Sequence, residues 1–166
     1  SEVEREVQMK MWLRLDLEIS ANTETEVEAC LNFSNSFADM YGPGPIYQFG
    51  QPTGFYGEQN CELPEDWSLL GILPHSHLMG TSWEVYAETP EGENLPIIKI
   101  PNWDFDWQDF YKFRYLQKIP QGSKLHSYGT FDNTSLNIHN PFSPPQTVMF
   151  GLNTTDEMFI TYFQYL

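Results

Sequence analysis

Two of the chain's four histidines, His75 and His77, stand one residue apart in the stretch "GILPHSHLMG", a segment almost free of charge. On a strand, residues i and i+2 project to the same side, so this spacing offers two imidazoles to one ion. The same pair also suits surface or hydrogen-bonded histidines, and the spacing alone leaves both readings open. Met158, in "TTDEMFITYF", alternates with Ile160 and Tyr162 on one face of another apolar segment. A thioether is a soft ligand that suits Cu(I), and imidazole suits several metals, so two nitrogens and one sulfur would make an open copper site. Methionine is also a common core filler, and no periodicity brings Met158 to His75.

The elements that must position these groups read as strands. "EVQMKMWLRLDLEI" alternates with period two, placing Val7, Met9, Met11, Leu13, Leu15, Leu17 and Ile19 on one face and Trp12 with the polar residues on the other. That is the pattern of a long, half-buried strand. "TEVEACLNF" repeats it, with Val27, Ala29, Leu31 and Phe33 inward. "SWEVYAE" and "LPIIKI" flank the turn "TPEGEN" as a hairpin. "DFYKFRYL", "LHSYGTF" and "MFITYFQYL" supply further strands. The stretch from about 34 to 60 is dense in Gly, Pro and aromatics and reads as a long loop, because no helix survives it. Many short strands joined by Gly/Pro turns predict one all-β domain over 1–166, an antiparallel β-sandwich of jelly-roll type.

Composition narrows the partners. With 8 basic and 23 acidic residues the formal net charge is −15, which repels a phosphate backbone and an anionic membrane surface alike. Nucleic acid is therefore not an expected partner, and no apolar run is long enough to span a bilayer. The opening "SEVEREV" reads as the interior of a longer precursor. The two cysteines, Cys30 and Cys61, are compatible with one disulfide or two buried thiols. Asn32, Asn133 and Asn153 open Asn-X-Ser/Thr triplets, which arise often by chance. Asp104 and Asp106 in "NWDFDWQ" alternate with aromatics and read as a polar strand face or a turn. His126 reads as a strand residue beside Lys124 and Tyr128, and His139 as a loop residue with a backbone hydrogen bond.

"LPHSHLMGTSWEVYAETPEG", "IPNWDFDWQDFY", "IPQGSKLHSYGTFDNT", "NPF" and "TTDEMFITYF" follow one another in an order that resembles the copper type II, ascorbate-dependent monooxygenases. This family includes peptidylglycine alpha-hydroxylating monooxygenase and dopamine beta-monooxygenase, and the likeness is nearest to its bacterial relatives. It covers residues 68–166 and extends weakly to "MKMWLRLDL"; the segment around 32–58 has no counterpart. The resemblance is to the second of the family's β-sandwich domains, whose copper activates dioxygen through a His-X-His pair and the methionine of an Asp-Glu-Met segment. It implies that His75, His77 and Met158 are copper ligands and that Tyr162 lines a substrate pocket. It further implies C–H hydroxylation of a small molecule, with ascorbate as external electron donor. A secreted, periplasmic or cell-surface location follows from the same likeness, and there a Cys30–Cys61 bridge would persist.

Two departures matter. Where peptide-hydroxylating members carry an arginine before the first histidine and an asparagine after the methionine, this chain has Leu73 and Ile160, so peptide substrates are not expected. The family's second, electron-storing copper needs three further histidines, and only His126 and His139 remain. An upstream domain or partner chain would have to supply that centre. The alternative is a non-catalytic surface or assembly module on the same fold, with or without copper.

Overall fold

The computed structural model describes residues 8–14, 16–30 and 62–166. Ten strands run in the order β1 (Gln8–Leu13), β2 (Glu18–Ile19), β3 (Glu24–Cys30), β4 (Trp67–His75), β5 (Gly80–Glu88), β6 (Asn94–Ile100), β7 (Tyr111–Ile119), β8 (Lys124–Asp132), β9 (Val148–Met149) and β10 (Ile160–Tyr165). Among the described residues they form two four-stranded sheets, β1-β10-β4-β7 and β3-β8-β5-β6, with a short β2-β9 pair. Every strand pairing is antiparallel. The fold is an all-β sandwich, as the alternating pattern predicts.

Between the sheets the core is aromatic. Trp83 of β5 stacks on Phe159 at 4.4 Å between ring centres, and Trp12 and Phe131 meet the same phenyl ring edge-on at 5.9 and 6.0 Å. Trp67 stacks on Tyr165 at 3.9 Å. The hydroxyls of Ser127 and Thr161, both fully buried, join the sheets at 3.0 Å, so neither polar group is left unsatisfied. Gly129 leaves room for the Phe159 ring, which lies 2.7 Å from where a Cβ would stand. The expected hairpin is present: Thr89 N donates to Glu93 O, Gly92 N donates to Thr89 O, and Gly92 adopts φ +82.

The first apolar run departs from a single long strand. It ends at Leu13, turns, and resumes as β2, which pairs with β9 instead of β10. The turn changes the phase of burial. Trp12, which alternation assigns to the polar face, is buried in the core, and so are Leu17 and Ile19 from the other register. Val27 and Ala29 are buried as expected; Leu31, Phe33 and the 34–60 segment lie outside the described residues. Cys30 is disulfide-bonded at the end of β3, and its expected partner Cys61 lies outside the described residues. Asp104 and Asp106 belong to a 3₁₀ turn over Phe105–Trp107, in which the Asp104 carboxylate caps the Asp106 amide at 2.9 Å. Asn133 is fully buried, and its amide donates to the carbonyls of Ile19, Ser20 and Gln146 while accepting from Asn140.

Candidate metal centre

β4 and β10 bring the two motifs together. Their register pairs Ile160 with His75, Thr161 with Pro74 and Tyr162 with Leu73. Continued two pairs beyond the named strand ends, it sets Met158 opposite His77. Directly opposed residues share a face, and the residues between them, Ile72, Phe159 and Phe163, are fully buried in the core. His75, Met158, Ile160 and Tyr162 therefore belong to the other face of this sheet. There Met158 and Ile160 form a second apolar cluster with Phe150 and Tyr162, apart from the core between the sheets.

Each residue of the Asp-Glu-Met segment has a structural task. Asp156 closes a turn, its amide donating to Asn153 O at 2.9 Å and its carboxylate accepting from the backbone and side chain of Asn153. Glu157 turns inward, is fully buried, and accepts from the amides of His77, Met79 at 3.0 Å and Met158 at 2.8 Å. This carboxylate ties the chain after β4 to the chain before β10 at the level of the motif. Burial pushes its pKa up to about 7, against the pull of the three amide donors. Met158 then faces the opposite way, at 7% exposure. Sequence reasoning did not single out Glu157; its only signal is an acidic residue inside an apolar, alternating segment.

Hydrogen bonds fix both imidazoles. His77 Nδ1 donates to the Asp156 carbonyl at 3.0 Å, and a carbonyl only accepts, so this nitrogen carries the proton. His75 Nδ1 lies 2.5 Å from Gln108 Oε1. The Gln108 amide is oriented by its Nε2, which donates to Phe105 O at 2.8 Å, so the atom facing His75 is the acceptor. In its neutral form each ring therefore carries the proton on Nδ1 and the lone pair on Nε2. Desolvation is the main force lowering the His75 pKa; the Gln108 bond opposes it, and neighbouring His77 adds to it. A neutral ring with its outer N–H held by an oxygen is the form in which histidine ligates metals. The ring centres of His75 and His77 are 5.1 Å apart. An ion about 2.0–2.1 Å from each ring nitrogen, held at a tetrahedral angle, would keep two imidazole centres about 5 Å apart.

Among the described residues no group of three or more His, Cys, Asp or Glu side chains could hold a metal. A third protein ligand from these residues would be of another type, and the Met158 thioether is the soft donor that the register sets opposite His77. Tyr162 stands two pairs beyond Ile160 along β10, opposite Leu73, and burial raises its hydroxyl pKa. Gln108, which sequence reasoning did not reach, comes from the 3₁₀ turn, and Phe105 of the same turn sets its ring edge-on to His77 at 5.9 Å. The other histidines lie apart from this place. His126, on β8, stacks on Tyr86 at 4.8 Å and approaches Glu88 at 3.5 Å. His139 is exposed in the loop after β8, and its backbone N–H donates to Asn137 Oδ1. No family model and no curated protein matches this chain.

Proposed function

We propose that the domain binds one copper ion through His75 Nε2, His77 Nε2 and the Met158 sulfur, as part of a copper-dependent monooxygenase-like oxidoreductase. The observation that carries this reading is the pair of engaged Nδ1 atoms, which leaves both Nε2 atoms available at the end of β4. Copper bound there would supply one-electron chemistry with dioxygen. The chain's own residues do the rest. Gln108 and the Asp156 carbonyl hold the protons on Nδ1 and keep the rings turned. Glu157 fixes the spacing between the histidine and methionine segments by gripping amides on both. Ile160 and Phe150 pack with Met158 and exclude water from the thioether. Tyr162, on the same face, lines the approach to His75.

Hydroxylation of a C–H bond consumes two electrons, and one copper stores one. The second comes from ascorbate or from another copper-bearing domain or partner chain. That the remaining histidines, His126 and His139, lie elsewhere is the observation that favours the alternative, a non-catalytic surface or assembly module with or without copper. X-ray absorption of the reduced, copper-loaded protein tests the site: two nitrogen scatterers and one sulfur are expected. No sulfur at the metal removes the three-ligand set. Oxygen consumption with ascorbate, measured on the copper-loaded chain, separates enzyme from module.

A further inference from the structure

The loop between β8 and β9 holds two large apolar side chains out in water. Leu136 and Ile138 are 86% and 90% exposed. Side chains fix the loop around them. Asp132 Oδ1 accepts from Thr134 N, Thr134 Oγ1 from Leu136 N, and Asn137 Oδ1 from His139 N. Asn140 Nδ2 donates to Asn133 Oδ1, and buried Asn133 ties the base of the loop to Ile19, Ser20 and Gln146. The surroundings are acidic: Glu24 stands opposite Asp132, Glu18 stands opposite exposed Met149, and residues 125–166 contain no Lys or Arg. β7 is the opposite case. It is an edge strand among the described residues, and its residues 113–116 bulge outward, facing the single Leu70 between the Leu69–Gln117 and Gly71–Lys112 pairs. There Tyr115 and Leu116 are 70% and 48% exposed. Lys112, Arg114 and Lys118, all exposed, flank them, and no carboxylate among the described residues pairs with any of the three.

We propose that these two patches dock on one another between copies of the chain, the Leu136–Ile138 tip of one copy against the Tyr115–Leu116 bulge of the next. The chain itself carries the complement of each patch. Docking removes both apolar pairs from water, and it sets three unpaired cations against the carboxylates beside the tip. The patches differ and every copy bears both, so the contact is heterologous. A copy that receives a tip still offers its own, and association runs past the dimer unless a ring closes. Cations and a bulge hinder backbone pairing along the β7 edge, so side chains make the contact. The net charge of −15 makes two copies repel at a distance. At about 0.15 M salt, charges more than about 8 Å apart are screened, which leaves the opposed charges at the contact to act. Two apolar pairs form a small centre, so the association belongs to the weak end of protein interfaces. Neither patch contains His75, His77 or Met158, and the docking does not rest on the copper reading.

Sedimentation velocity of the full chain at about 0.15 M salt, from about 10 µM to about 1 mM protein, reads the association. The unmodified chain should pass from monomer to dimer and larger species, and salt of about 1 M should weaken this. Ile138→Asp blocks the tip and Arg114→Glu reverses the charge of the bulge; both positions are exposed, so both variants should fold. Each variant alone should need at least tenfold more protein to associate. An equal mixture of the two should form a dimer and nothing larger, because one keeps its bulge and the other its tip. Leu136→Asp and Lys118→Glu replace them if either misfolds. An unmodified chain that stays monomeric up to about 1 mM overturns the proposal. So does a mixture that stays monomeric. Association lost in Ile138→Asp but unchanged in Arg114→Glu means that tip meets tip, and it overturns the pairing with β7.

Discussion

Glu157→Ala should be among the most damaging single substitutions in this domain, and its cost can be worked from the structure. The carboxylate accepts from three amides, those of His77, Met79 and Met158, and the residue is fully buried. Alanine offers no acceptor, and the amides it abandons have no carbonyl ladder to return to. A buried donor left unsatisfied costs about 1–3 kcal/mol, so three cost about 3–9 kcal/mol. A small domain holds only about 5–15 kcal/mol in total, so the variant sits near the edge of folding. Urea denaturation of the metal-free protein measures the loss from the midpoint at constant slope. Glu91→Ala, in the exposed β5–β6 turn, is the control and should stay within about 0.5 kcal/mol. Amide hydrogen exchange gives a local reading: the protons of His77, Met79 and Met158 should lose protection while those of β3 and β8 keep it. A loss below about 1 kcal/mol, or unchanged protection at those three amides, would refute the claim that the carboxylate ties the two segments together.

The remaining predictions are shorter. Met158→Ala should cost about 2–5 kcal/mol, since the side chain is buried, and should also weaken Cu(I) far more than Cu(II), read by competition with chelators of each ion. Gln108→Ala should lower copper affinity by about 10–100-fold while leaving the denaturation midpoint nearly unchanged, because it frees the His75 ring without opening the core. In the metal-free protein Glu157 keeps its proton to about pH 7 when folded but only to its ordinary value of 4.5 when unfolded. That stabilisation is fully present below pH 4.5 and is lost as pH rises through about 7, a fall of up to about 3 kcal/mol. Glu157→Gln should flatten the curve, and a wild-type curve already flat from pH 4.5 to 7 would contradict it. The unfolded, non-reduced chain should titrate no free thiol, because Cys30 is disulfide-bonded.

The sequence made the layers legible because period two is a backbone property, and both sheets obey it through Val27, Val85, Leu125 and Phe163. It misplaced Trp12 because alternation is read as if a strand never ended. The turn after Leu13 moves the chain from β10 to β9 and lets Leu17 and Ile19 reach the core that Trp12 also fills. The site was legible as residue types but not as a juxtaposition, since the His75 and Met158 segments are set side by side only through the pairing of β4 with β10. Nor could the sequence weigh core against cleft for Met158: it is buried, yet apart from the main core, in a cluster of its own. Gln108 left no signal, because a glutamine in a 3₁₀ turn gains its role from the ring that happens to face it. Glu157 is the instructive omission. A shift of one residue between β4 and β10 would exchange the two faces, burying the histidine face and exposing Phe159 and Phe163. A charged residue whose two oxygens fit only the amides of His77, Met79 and Met158 penalises that shift, since any other register strands a buried carboxylate. The residue between Asp156 and Met158 thus acts on core and site together, and the same contact that keeps the aromatic core inside keeps the imidazoles and the thioether on one face.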